Sequence, residues 1–160
     1  MYGKNGCQSM FFRKKIRFFL CFAAALSPGG RKMSVTIPVS WGELLDKITI
    51  LRIKKERLAD PEKRRNVLRE LTVLEAAWHG RGVAAGELAE LAEQLHGVNE
   101  ALWDIEDEIR DCERRRDFGE RFIELARQVY RTNDRRAALK YRVNGLLGSD
   151  IIEEKAYHAY

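Results

Sequence analysis

The sequence predicts an all-α fold: a helical hairpin, then one long heptad-patterned helix, then a C-terminal helix pair, closed into a small bundle. Three observations carry that expectation. Leu88, Leu91, Leu95, Val98, Leu102, Ile105, Ile109 and Cys112 recur at unbroken three- and four-residue steps, the spacing of the apolar seam of a packed helix. Ser40-Trp41-Gly42-Glu43 and Asp60-Pro61-Glu62 read as helix starts, whereas Asp117-Phe118-Gly119 and Gly148 read as stops. The chain has 160 residues, long enough for one domain with a real core and short for two.

Val35-Thr36-Ile37-Pro38-Val39 is an extended arm, because Pro38 argues against a central strand. In the S-x-x-E string from Ser40 to Glu43, hydroxyl and carboxylate can satisfy the free amides of a helix start. The first helix is expected from about Trp41 to Leu58, with Leu44, Ile48, Leu51 and Leu58 near one stripe. Asp60 then caps a second helix, with Pro61 at its first position and the apolar row Val67, Leu71, Leu74 and Trp78. So short a turn folds the two back as a hairpin. His79-Gly80-Arg81-Gly82 ends it, and the stretch to Gly86 is the best loop candidate.

The third helix carries the ladder and spans roughly 37 Å at 1.5 Å per residue. Phe122, Leu125, Ala126 and Val129 mark a fourth helix ending near Thr132. Asn133 or Asp134 then caps a fifth, which Leu139, Val143, Leu146 and Leu147 carry to Gly148. The domain is expected over 33–150, with a tail over 151–160.

The formal charge of +5 belongs to one end of the chain. Residues before Met33 hold seven basic and no acidic residues, leaving 22 Lys and Arg against 24 Asp and Glu in the rest. A nucleic-acid surface needs positive potential on the folded domain, so that class loses its support. The segment 1–32 has two readings. Arg13, Lys14, Lys15 and Arg17 precede the apolar run from Phe18 to Leu26, with Ala23-Ala24-Ala25 as a small-residue cleavage pattern, which imitates a secretory signal. Alternatively, translation starts at Met33 and 1–32 is an upstream extension. The run is far shorter than the roughly 20 apolar residues of a membrane-spanning helix, and no transmembrane helix is predicted. Cys7 and Cys21 lie in the extension, so Cys112 on the ladder reads as a small core residue and no disulfide framework is expected.

Candidate chemistry sits beside the seam. Asn99, Trp103, Glu106 and Arg110 lie one step round from it, a polar and aromatic stripe at helical spacing. Asn133, Arg136, Lys140 and Asn144 share a face nearer the C-terminus. If the stripes meet, Glu106 and Asp107 oppose Arg136 and Lys140 in a helical cleft. Its cations would grip an anionic or sugar-like ligand while a carboxylate orients a hydroxyl or acts as a base. The competing account is structural: Glu106 and Arg110, four apart in the favourable order, pair on their own helix, and charge pairs across a bundle often only fix register. Asp104, Glu106, Asp107, Glu108, Asp111 and Glu113 form an acidic cluster, but His79, His96 and His158 are far apart, so a solvated face is expected and no metal or cofactor. Trp78 continues the core row; Trp41 and Trp103 can serve as interface anchors.

Three strings resemble a small bacterial protein family, a domain of unknown function: Ile37-Pro38-Val39-Ser40-Trp41-Gly42-Glu43-Leu44-Leu45-Asp46-Lys47-Ile48-Thr49-Ile50-Leu51, then Val98-Asn99 through Leu102-Trp103-Asp104-Ile105-Glu106-Asp107 with Ile109-Arg110, then Thr132-Asn133-Asp134-Arg135-Arg136 with Lys140 and Asn144. The likeness covers Met33 to about Tyr157. It implies a start at Met33, a cytoplasmic protein and a setting in surface-polysaccharide metabolism, with no activity attached. Trp41 stands where the family has a smaller residue. The resemblance adds Asp134 to the positions of interest.

The reading that follows is a helical interaction or accessory protein, with no catalytic motif to name a reaction, that meets a protein partner or a second copy through helix three. The alternative is a small helical enzyme or anionic-ligand-binding domain with its site between helices three and five. In that case Arg136 and Lys140 bind the anion and Glu106 is the polar partner, an arrangement with a loose likeness to the all-α chorismate mutases. The segments Leu45-Asp46-Lys47-Ile48 and Asp60-Pro61-Glu62-Lys63 share that likeness, in a different order.

Overall fold

A computed structural model describes residues 35–79 and 86–154. The N-terminal extension 1–32 with its two cysteines, most of the Gly-rich connection after His79, and the last tail residues including His158 lie outside the described residues. The chain divides into two units, Met1–Thr36 and Ile37–Tyr160, and the fold below is that of the second.

Four helices make up this unit: α1 (Trp41–Arg57), α2 (Pro61–His79), α3 (Glu87–Arg115) and α4 (Glu120–Leu147). The all-α bundle therefore stands, with one difference in its last part. The expected break at Thr132–Asn133 is absent, and α4 runs through it without interruption. Asn133 Nδ2 donates 3.0 Å to the Val129 carbonyl one turn back. The side chain that would cap a new helix thus bonds to the helix already running, which leaves the backbone ladder intact.

The helix starts follow the sequence signals. Ser40 Oγ accepts from the Glu43 amide at 3.2 Å, and Asp60 Oδ1 accepts from the Glu62 and Lys63 amides at 2.8 and 3.1 Å. Only half of the capping box forms, because the Glu43 carboxylate reaches across to Lys140 at 2.6 Å. Gly148 closes α4 in the left-handed region, φ 58°, and the Ser149 amide donates to the Asn144 carbonyl. That geometry suits glycine, which has no Cβ to clash there. Arg116 takes the same role after α3, φ 56°.

α1 is the hub, and it is buried on two sides. Ile48 and Leu51 face α2 and meet Val67 and Leu71, with Leu44, Leu58 and Leu74 at the margin. Leu45 faces the other way, into a cluster with Leu88, Leu91, Leu95, Val98 and Leu102 of α3 and Leu139 and Val143 of α4. A third cluster, Ile105, Cys112 and Leu125, joins the far ends of α3 and α4. Side chains such as Leu45, Ile48, Leu51 and Ile53, all 2% exposed or less, contribute about 1.5–3 kcal/mol each relative to exposure. Six of the eight ladder rungs, from Leu88 to Ile105, and Cys112 at its end fall between 0 and 9% exposure or are otherwise classed as buried, with Ile109 partly buried. The seam is therefore spent within the chain. Trp41 and Trp78 pack edge-to-face, ring centres 5.9 Å apart, beside the main core. No helix among the described residues is long and apolar enough to cross a membrane.

Candidate functional site

The two polar stripes do converge, and α1 supplies a third wall. Asn99, Trp103, Glu106, Asp107 and Arg110 of α3, Asn133 and Arg136 of α4, and Ile50, Ile53 and Lys54 of α1 line a cleft of about 500 Å³, with Leu102 in its floor. Seven of the ten sequence-derived candidates thus share one cavity. Lys140, Asn144 and Asp134 are not among its lining residues.

The cleft closes on a buried polar network that holds α1, α3 and α4 together. Asp46 is 1% exposed, Thr49 1% and Asn99 5%. Asn99 Nδ2 donates to Asp46 Oδ1 and to Thr49 Oγ1, each at 2.9 Å, and Thr49 Oγ1 donates back to the Asp46 carbonyl at 2.8 Å. Arg136 completes it side-on: Nε donates to Asp46 Oδ1 at 2.8 Å and Nη2 to Oδ2. The hydrogen bond to Asp46 raises the Arg136 pKa above its ordinary value, so the guanidinium stays charged at any working pH. A carboxylate this deep is tolerable only with such pairing, since an isolated buried charge costs several kcal/mol.

Lys140 and Asn144, expected in the site, serve a different junction. The Lys140 ammonium sits between Glu43 and Glu153. Burial lowers its pKa, and hydrogen bonds to Glu153 and Glu43 outweigh that, leaving the pKa raised. Asn144 Oδ1 accepts from the Gly42 amide at 2.6 Å. This contact is possible because α1 and α4 approach so closely that a Cβ on Gly42 would lie 2.5 Å from the Lys140 carbonyl oxygen. Lys140 therefore cannot bind a cleft ligand, because its charge is already shared between two carboxylates.

The outer cleft is more exposed and its charges are mixed. Arg110 pairs with Glu106 at 3.1 Å, as the four-residue spacing predicts, and both remain largely solvated. Lys54 and Asp107 form no ion pair among the described residues. Arg57 lies 5.9 Å from the centre of the Trp103 ring and bridges to Glu100 and Asp104, which fixes the indole in the wall of the cleft. Three other acids of the cluster pair with arginines: Asp104 with Arg57, Glu108 with Arg121 and Asp111 with Arg114. That matches the solvated face expected of them.

Asp46 and Thr49 are the site residues that sequence reasoning passed over. Their signal was present, because Gly42, Asp46, Thr49 and Ile53 recur at four, three and four residues, a second seam on α1. Two of its members are polar, so an apolar-stripe search skips it. No protein-family model, curated protein or solved structure matches the chain.

Proposed function

We propose that this protein is a small helical ligand-binding domain, and that the cleft between α1, α3 and α4 takes up a compact polar molecule. The observation that carries this reading is the buried Asp46–Thr49–Asn99–Arg136 network lying directly beneath a cavity of some 500 Å³ with an aromatic wall. A helical bundle gains more stability from apolar residues at such positions, and a polar group there has to be justified by what it holds. Concave sites with an apolar body and a few convergent polar groups are where proteins bind small molecules. Support for the interaction reading is thinner, since the α3 rungs are buried within one chain and a second copy would meet the helix only at its polar margin.

The test uses the full chain, labelled with ¹⁵N, against small polar metabolites spanning neutral, anionic and zwitterionic classes. Saturable shifts are expected at the Trp103 indole and the Asn99 carboxamide with at least one class. In Ile50→Trp, which fills the cleft from α1 without touching the network, those shifts should vanish while the circular dichroism stays helical. Shifts that avoid both residues with every class would overturn the reading.

A further inference from the structure

The closed end of the cleft has a defined hydrogen-bonding polarity. Asp46 is a carboxylate and can only accept, so the Asn99 group facing it must be the NH₂, and both of its hydrogens are used, one on Asp46 and one on Thr49. The Asn99 carbonyl oxygen is therefore turned away from the network. It has no donor among the described residues, and no enclosed side-chain polar atom there lacks a partner, so this oxygen opens into the cleft that Asn99 lines. Arg136 is oriented by the same carboxylate. Nε and Nη2 are engaged by Asp46, which leaves Nη1 without a protein acceptor among the described residues, on a side chain that also lines the cleft. Asn99 and Arg136 both bond to Asp46 Oδ1 and both line the cleft, so its closed end offers one spare acceptor and one spare donor.

That pair discriminates. A hydroxyl carries one hydrogen and two lone pairs, and it can donate to the Asn99 oxygen while accepting from Arg136. A carboxylate or a fully ionised phosphate ester brings only lone pairs and would set them against the Asn99 oxygen. Charge points the same way. Asp46 already neutralises Arg136 and Glu106 neutralises Arg110; Lys54 makes no ion pair among the described residues, but Asp107 offsets its charge in the same lining, so the cleft carries no net positive charge to repay an anion for its lost hydration. Trp103, Ile50 and Ile53 add apolar wall for the carbon face of such a molecule.

Resting on the cleft reading above, we infer that the ligand is an uncharged, hydroxyl-rich small molecule, seated with one hydroxyl between Asn99 and Arg136. Of the anionic and sugar-like classes expected from the sequence, this keeps the second, because Asp46, unseen there as a counter-charge, already holds Arg136.

The experiment titrates the full chain with myo-inositol and methyl α-glucopyranoside as neutral probes. Glucuronate, glucose 6-phosphate and inorganic phosphate are the charged ones, and the signals followed are the Asn99 carboxamide and Arg136 Nε–H. The expected result is saturable binding of a neutral probe, at least about tenfold tighter than its charged counterpart and unchanged by added salt. In Ile50→Trp the binding should be lost. A charged probe that binds as tightly as the neutral one, or binding that weakens with salt, overturns this inference while leaving the cleft a ligand site. Silence of both signals with every probe, neutral and charged, removes the inference, and the cleft reading falls with it when zwitterionic metabolites are silent too.

Discussion

Arg136 on α4 holds Asp46 on α1 side-on through two hydrogen bonds, across 90 residues of chain. The two partners are unequally buried, with side-chain exposures of 27% for Arg136 and 2% for Asp46. Arg136→Ala leaves the buried Asp46 carboxylate without its cation and with Asn99 as its remaining side-chain donor among the described residues, whereas Asp46→Ala leaves a guanidinium that can swing into the cleft. Arg136→Ala is expected to cost about 3–5 kcal/mol in urea unfolding, and Asp46→Ala clearly less. The double variant Asp46→Leu with Arg136→Leu should recover much of the loss. Equal costs for the two single variants would show that burial does not set the energy of this pair.

Gly42 and Gly97 test the packing from opposite sides. A Cβ at Gly42 meets the Lys140 carbonyl oxygen at 2.5 Å and Asn144 Oδ1 at 3.0 Å, and a backbone atom cannot rotate away. Gly42→Ala should push α1 from α4 and lose at least about 1–3 kcal/mol. Gly97, inside α3, has nothing within 4 Å of the same built position. Gly97→Ala should stabilise by up to about 1 kcal/mol, because alanine loses less backbone entropy in a helix. Thermal unfolding of the two variants should move in opposite directions.

These positions also show what could be read from the sequence. The α3 seam was legible because every rung is apolar and the spacing never slips. The hidden face of α1 was not, because Asp46 and Thr49 interrupt its pattern and their partners lie on helices remote in sequence. Asn133-Asp134 carries the residues of a helix cap, yet Asn133 bonds back to Val129 within α4. A local signal has two outcomes there, and only packing along the whole of α4 selects one. Lys140 was assigned to the cleft because its face was right; Glu153, which holds it elsewhere, follows the helix stop at Gly148 and carries no helical phase to read. Trp41 is partly buried against Trp78 and is no exposed anchor.

The Asp60 cap should leave a mark on acid stability. Hydrogen bonds from the Lys63 and Glu62 amides lower its pKa below the ordinary 3.8. A carboxylate lowered in the folded state adds stability that is present above 3.8 and is lost as pH falls through the lower folded value. Asp60→Asn keeps a capping oxygen without the titration. Melting temperature followed from neutral pH downward should show a gap between wild type and variant that closes below 3.8. Parallel curves down to the lowest pH would exclude this account.

The opposite end of the pH scale reports on Lys140. Burial pulls its pKa down, but the hydrogen bonds to Glu153 and Glu43 win, so the folded value lies above the ordinary 10.5. The sign is that of a raised base: its stabilisation is complete below 10.5 and disappears as pH rises through the higher folded value. Tyrosines and the other lysines titrate in the same range, so the difference between wild type and Lys140→Met isolates this one. Methionine keeps the length of the buried stem while removing the charge, and Glu43 and Glu153, both about half exposed, stay in contact with water. The variant should be less stable by about 1.5–3 kcal/mol near neutral pH, the scale of hydrogen bonds to a charged group. The gap should narrow only above 10.5. Glu153→Gln, which removes one of the two carboxylates, should shift that narrowing to lower pH than in wild type. A gap that is constant across the alkaline range would mean that Lys140 contributes through its stem alone and that its ion pairs with α1 and the tail add nothing.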